Sequence, residues 1–197
     1  MAQLSDEQLM ELFRSGSEDA FAQLIRRYER ELYNFLLKFL AQSASAEDIF
    51  QETFLQVHLS AGTFESGRRF RPWVYTIAAN KARDLLRSQG RRPTVQLTPP
   101  DDETDIAQLW EGLLQDTTTP DQQLQLKQRQ EFVREVIGQL PGHLREILVL
   151  AYFNQLSYKE LADVLGIPLG TVKSRLHSAV THFARLYHEL SPDPERI

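Results

Sequence analysis

Apolar residues recur along the chain at steps of three and four, and no stretch sustains an apolar/polar alternation, so the pattern predicts an all-α protein. Ser5, followed by Asp6 and Glu7, starts a first short helix that Gly16 ends, and Ser17 with Glu18 and Asp19 starts the next. The second helix carries the stripe Phe21, Leu24, Ile25, Tyr28, Leu32, Phe35, Leu36 and Phe39 to about Leu40, where Gln42-Ser43-Ala44-Ser45 interrupts it. Ser45 is expected to cap a third helix that buries Ala46, Ile49, Phe50, Phe54 and Val57 and stops near Gly62. Pro72 suits a first helical turn, which gives a fourth helix from Arg71 to about Ser88, ended by Gly90. Helix is expected again from Pro120 to Gln139, Pro141 to Asn154, Ser157 to Leu165 and Thr171 to about Leu190, with a frayed tail over 191–197. Two small helical domains follow, 1–92 and 122–190. The Pro- and Thr-rich segment 93–121 joins them as a linker, in which Ile106 to Leu114 is apolar enough for one short helix that docks on something. No repeat of 20–50 residues exists, which excludes a solenoid.

The segment from Ser157 to Leu186 has the richest local signal. Ser157 with Glu160 makes a capping box, Ala162 lets a second helix cross closely, Gly166 ends the first helix and Thr171 is expected to cap the second. On that second helix Val172, Leu176, Ala179, Val180, Phe183 and Leu186 share one face, and Lys173, Ser174, His177, Ser178, Thr181 and Arg185 take the flanks and the opposite face, with Arg175 at the border. Three basic residues and no acidic one lie between 170 and 188. These features describe a helix-turn-helix whose second helix offers basic and polar groups to a major groove; a plain helical hairpin is the alternative.

Charge changes the picture because its average is misleading. The net charge of −5 argues against a nucleic-acid partner, yet residues 68–92 carry eight basic residues and one acidic. Residues 1–67 carry five basic and eleven acidic, and 93–126 carry seven acidic and no basic. In the basic segment the cations interleave with Phe70, Trp73 and Tyr75, a composition suited to a single nucleic-acid strand: cations track phosphates and exposed rings stack on bases. Trp73, Val74, Ile77 and Leu85 also have helical spacing and read as core.

In the third helix Asp48, Gln51, Glu52 and Leu55 share one exposed stripe. A solvated face, an acidic patch for a protein partner, or paired carboxylates for acid–base or metal chemistry would all produce such a stripe. The last lacks a partner, since His58 is off the face of Glu52 and no Glu-x-x-His exists. His177, His182 and His188 stand five and six residues apart, about 140° and 240° around a helix, so they do not converge on a metal. With no cysteine, no Walker loop, no Rossmann glycines and no nucleophile elbow, neither a catalytic set, a metal nor a cofactor is expected. The longest apolar run, Ile147 to Phe153, is far below the ~20 residues of a membrane span, and the acidic start lacks the form of a signal peptide. Membrane insertion and export are not expected; a cytoplasmic protein is.

The stretch L-G-x-x-x-G-T-V-K-S-R-L, Leu165 to Leu176, resembles the promoter-reading helix-turn-helix of bacterial sigma factors, in particular the extracytoplasmic-function (ECF) group, and Leu140 to Phe153 resembles the helix leading into it. The resemblance implies minus-35 contacts from Thr171, Lys173, Ser174, Arg175, His177 and Ser178. Further arginines are usual in the family where this chain has Ser178, Val180 and His182. The pattern W-x-Y-x-I-A-x-N, Trp73 to Asn80, resembles the region that melts and captures the minus-10 element. It implies roles for Asn80, Lys81 and Arg83 and for the loop from Thr63 to Arg69, hence also for Phe64, Arg68, Arg69 and the adjoining Phe70; Ala79 stands where the family often has a basic residue. The D-x-x-Q-E-x-F spacing from Asp48 to Phe54 resembles the surface that grips the polymerase clamp, implying polymerase contacts from Asp48, Gln51, Glu52 and Leu55. As a whole the resemblance implies RNA polymerase core (clamp and flap of the large subunit), promoter DNA and an anti-sigma factor as partners. The rival reading is a stand-alone helix-turn-helix repressor or activator with a helical sensing domain.

Overall fold

A computed structural model describes residues 4–65, 67–89 and 131–191, and within them the chain is helical throughout, with no strand. The first domain comprises α1 (Asp6–Arg14), α2 (Glu18–Leu40), α3 (Ser43–Ser60), a 3-10 turn (Ala61–Thr63) and α4 (Phe70–Ser88). The second comprises α5, helical over 131–139, α6 (Gly142–Leu148), a π-helical turn (Val149–Phe153), α7 (Tyr158–Leu165) and α8 (Leu169–Leu190). The expected end at Gly90, the linker 93–121 with its short helix, the helix start at Pro120 and the tail beyond Ser191 lie outside the described residues.

Local chemistry sets most boundaries. Ser5 Oγ accepts from the backbone N–H of Gln8 while Gln8 Oε1 accepts from that of Ser5, a reciprocal cap for α1, and Ser17 accepts from Ala20 at the start of α2. Two expected caps are corrected. The residue that begins α3 is Gln42, in extended backbone; Ser45 is inside the first turn, its hydroxyl donating to Gln42 Oε1. Pro168 begins α8, three residues before Thr171, because its fixed extended geometry and lack of an N–H suit a helix entry.

The stripe of α2 forms the spine of the first core. Leu24, Leu32, Phe35 and Leu36 are wholly buried, against Val57 of α3 and Val74, Tyr75 and Ala78 of α4. Each such leucine contributes about 1.5–3 kcal/mol by leaving water. The second core joins Val136 and Ile137 of α5, Leu144 and Ile147 of α6, Leu161 and Val164 of α7, and Val172, Ala179 and Phe183 of α8.

The two domains also pack on each other, α4 against α7 and α2 against α6 and the π turn. Polar groups fasten this contact. Asn154, which follows the π turn, is buried; its amide donates to the Tyr75 hydroxyl at 2.7 Å and its carbonyl accepts from Arg71 at 2.8 Å. Arg145 donates to the Phe39 carbonyl at 3.1 Å, and the Lys38 ammonium lies 4.8 Å from the centre of the Phe153 ring.

Candidate nucleic-acid interface

The helix-turn-helix is built as its local signals dictate. Ser157 Oγ accepts from the Glu160 N–H, Glu160 Oε2 accepts from the Ser157 N–H at 2.8 Å, and Gly166 ends α7 in the left-handed region at φ 64°. Burial alone would raise the Glu160 carboxyl, but hydrogen bonds from Ser157 and the charges of Arg69 and Arg71 hold it below the usual carboxylate range. On α8, Val172, Leu176, Ala179, Val180 and Phe183 face the core, as the periodicity predicts, joined by Tyr187, which the sequence stripe missed.

Of the expected minus-35 residues, Lys173 and Ser174 are exposed, and Thr171, Arg175 and His177 are half-buried on the flanks. Ser178, expected on the flanks or the opposite face, is buried at 5% exposure, and its carbonyl meets the His182 ring nitrogen at 2.9 Å. Val180 is buried too, so an arginine there would enter the core instead of reaching phosphate.

The basic helix α4 presents Asn80, exposed, and Lys81 and Arg83, half-buried. Arg68 and Arg69 are exposed on the loop before it. Phe64 and Phe70 are both buried, the Phe64 ring 4.9 Å from that of Trp73 and the Phe70 ring 5.3 Å from that of Tyr28, so the exposed ring expected at Phe70 is packed in this structure. Ala79 is likewise fully buried, which explains a small residue there. A residue the sequence did not flag holds the start of α4. Glu7 of α1 accepts from the Phe70 N–H at 3.1 Å; burial opposes its ionisation, yet that bond and the nearby Arg69 bring its carboxyl below the usual range.

Three cations of this surface are already engaged. Arg83 donates to Asn80 Oδ1 at 2.7 Å and lies 3.4 Å from Glu146 of α6; Arg69 meets Glu160 of α7 at 2.8 Å; Lys81 meets Glu52 of α3 at 3.1 Å. Glu146 is almost wholly buried, and burial pushes its carboxyl up to about 7 against the pull of Arg83, Arg175 and Arg87.

On the outer side of α3, which adjoins this surface at Glu52, Asp48, Gln51, Glu52 and Leu55 are all exposed, Leu55 at 60% and the neighbouring Leu59 at 70%. The expected stripe is therefore a surface, since the buried side of α3 is occupied by Ala46, Ile49, Phe54, Val57 and a fully buried Thr53. Beside it runs a feature no periodicity revealed: two adjoining grooves between α2 and α3, one lined by Arg26, Arg30, Tyr33 and Glu47, the other by Phe21, Ile25, Phe54 and His58, sharing Phe50 and Gln51. Among the described residues no group of three His, Cys, Asp or Glu side chains could hold a metal, and no helix is long and apolar enough to cross a membrane.

Two helical domains, one with a helix-turn-helix and one with a basic helix beside an aromatic loop, place the chain among the helical helix-turn-helix proteins. The families described as Sigma-70 region 2 and Sigma-70 region 4 match residues 24–92 and 124–183. The RNA polymerase sigma-H factor of Pseudomonas aeruginosa is 34% identical over 182 residues, covering 91% of this chain and 92% of that protein. The ECF RNA polymerase sigma-E factor of Escherichia coli is 31% identical over 181 residues, 90% and 91% of the two chains. The solved structure of CnrH in complex with the cytosolic domain of CnrY superposes with a TM-score of 0.68 at 26% identity, covering 94% of this chain and 99% of that one. The chain belongs to the ECF group of sigma-70 factors. It is a sigma factor that acts with RNA polymerase at promoters to initiate transcription, and the stand-alone repressor is not favoured.

Proposed function

We propose that the sigma factor divides its work among three surfaces. The α3 stripe, Asp48, Gln51, Glu52 and Leu55, grips the clamp of core polymerase. The flank of α8, with Lys173 and Ser174 foremost and Thr171, Arg175 and His177 beside them, reads the minus-35 duplex. Asn80, Lys81, Arg83, Arg68 and Arg69 capture the minus-10 strand after melting. Phe64, Phe70 and Ser178 serve these surfaces by packing beneath them. The functional domains run over 1–92 and 122–190, with 93–121 between them. The second domain also meets the polymerase flap.

The observation that carries this reading is the α3 stripe: two acidic groups, an amide and two leucines stand exposed together on a helix whose other side is fully packed. An acidic stripe repels DNA and suits a basic protein surface, whereas a leucine at 60% exposure has an apolar face to bury on a partner. Lysine at both Asp48 and Glu52 should abolish capture of core polymerase while leaving the circular dichroism spectrum unchanged. Undiminished capture by a folded double variant would remove the clamp assignment.

Control by an anti-sigma factor in the cytoplasm is part of the same proposal. It is supported by the likeness to CnrH, which was solved in complex with the cytosolic domain of CnrY. Co-purification of the sigma factor from its own cells, with identification of a stoichiometric inhibitor of transcription, tests it.

A further inference from the structure

We propose that the cavity where α2 meets the π turn binds a small bisphosphorylated metabolite. Lys38 and Arg30 each take one of its phosphoryl groups, and Asn154 accepts a hydroxyl or amino proton from the body of the molecule. None of the residues assigned above to DNA or polymerase lines this cavity.

Size and spacing set the class of ligand. The cavity measures about 320 Å³ and is walled by Arg27, Arg30, Asn34 and Lys38 of α2 on one side and by Phe153 and Asn154 on the other. That volume is at the small end of ligand pockets, which suits a sugar or a single nucleoside. Arg30 and Lys38 are two turns apart, about 12 Å along the axis at ~1.5 Å per residue, with Asn34 midway. A single phosphate does not span that distance, whereas two phosphoryl groups held apart by a sugar do.

The charges around the cavity are unbalanced among the described residues. Arg27 is held by Asp6, and Glu31, the carboxylate in the wall, is held by Arg71 at 3.1 Å. Arg30 is exposed with no ion pair among the described residues, and the Lys38 ammonium has the face of the Phe153 ring, 4.8 Å away, in place of a carboxylate. Burial and the neighbouring Arg134 hold that ammonium below the ordinary lysine value, so the empty site keeps the cation at a cost. Asn154 makes a second demand. It is 4% exposed, and its amide nitrogen donates to Tyr75 at 2.7 Å and to the Glu31 carbonyl at 3.5 Å, but its Oδ1 has no hydrogen-bond partner. A buried carbonyl oxygen without a donor is uncommon and costly. A bisphosphate with a hydroxyl or amino group between its ends supplies an anion to each cation and a donor to Asn154. The walls come from both domains, so the bound molecule stabilises the whole chain.

Calorimetric titration of the full chain with fructose 1,6-bisphosphate and with adenosine 3′,5′-bisphosphate should show one molecule bound per chain for at least one of them. Inorganic phosphate should bind about tenfold more weakly or worse. The tighter of the two ligands names the source, sugar or nucleoside. At about a hundred times its dissociation constant, that ligand should raise the melting temperature by roughly 5 °C or more. Hexane-1,6-diol bisphosphate has the two charged ends and no hydroxyl between them, and should bind about tenfold more weakly, the effect of one lost hydrogen bond. Arg30→Gln and Lys38→Gln should each weaken binding about tenfold. Neither should lower the melting temperature of the unliganded protein, since each removes an unbalanced cation.

Binding of neither bisphosphate to the parent protein overturns the proposal, and needs no variant to fold. Inorganic phosphate binding as tightly as the bisphosphates also overturns it, because general attraction to positive charge then accounts for the result. Unchanged affinity in both variants places the ligand elsewhere on the chain. Equal affinity for the hexanediol compound removes Asn154 from the site, and a lower melting temperature of unliganded Lys38→Gln overturns the reading of Lys38 as a cation kept for a ligand.

Discussion

Glu7 shows how a single carboxylate can hold together segments far apart in sequence. It lies in the first turn of α1, where an acidic residue is ordinary, but its carboxylate reaches 63 residues ahead to accept the first N–H of α4. Arg69, which begins α4, makes no side-chain cap of its own, so this distant group supplies the missing acceptor. Glu7→Gln should lower stability by about 1 kcal/mol at most, the size of an ordinary cap, and lower the melting temperature slightly. The sign with pH follows from its depressed ionisation: the contribution is complete above the usual carboxylate range and disappears as pH falls through the Glu7 value into acid. Thermal melts of the parent and Glu7→Gln proteins, compared at neutral and acid pH, should therefore converge in acid. None of this was legible in the sequence, because a cap read from local spacing sees only residues three or four positions away. The buried faces of Phe64 and Phe70 were hidden for the same reason: an aromatic among arginines looks like a stacking platform until Tyr28 and Trp73 are brought against it. The α3 stripe was legible, since its exposure depends only on which side of one helix is apolar.

At the scale of the element, α7 and α8 were the most readable part of the chain, because capping box, left-handed glycine and apolar stripe all act within a few residues. Gly166→Ala tests the turn. No atom lies within 4 Å of where its Cβ would be, so the cost comes from φ at 64° alone, about 1 kcal/mol, and a lowered melting temperature without loss of helix is the expected result. On α8 the solvent-facing cations are few. Lys173→Ala should weaken binding of any duplex and flatten the dependence of log affinity on log salt by about 1 unit, measured by titration at several salt concentrations. A change confined to one sequence would instead make Lys173 a base reader. The start of α8 was misjudged because Thr171 has a good capping side chain, whereas Pro168 caps by backbone geometry and leaves no side-chain signal.

For the whole molecule, the helical class and its division into two domains followed from periodicity and composition, but the packing of one domain on the other did not: it depends on Asn154, Tyr75 and Arg71 meeting across more than seventy residues of sequence. The order of events follows from which DNA groups are accessible. The role proposed for the Asn80 amide is to read a base edge that a closed duplex hides, and on that proposal Asn80→Ala should reduce transcription from a paired promoter and alter the preferred minus-10 base, while sparing core binding. A pre-melted template should restore yield but not preference, with permanganate footprinting reporting the melted strand.

The π turn before Asn154 carries an evolutionary consequence. There the Asn154 N–H bonds to Val149, five residues back, one more than an α-helix uses. Loss of one codon among residues 150–153 would leave the Asn154 N–H on the same Val149 carbonyl, now four residues back as in an ordinary α-helix, so the extra residue can be lost while Asn154 keeps its place beside Tyr75. A lineage could thus shed the extra residue in a single in-frame deletion and still keep the fastening between its two halves.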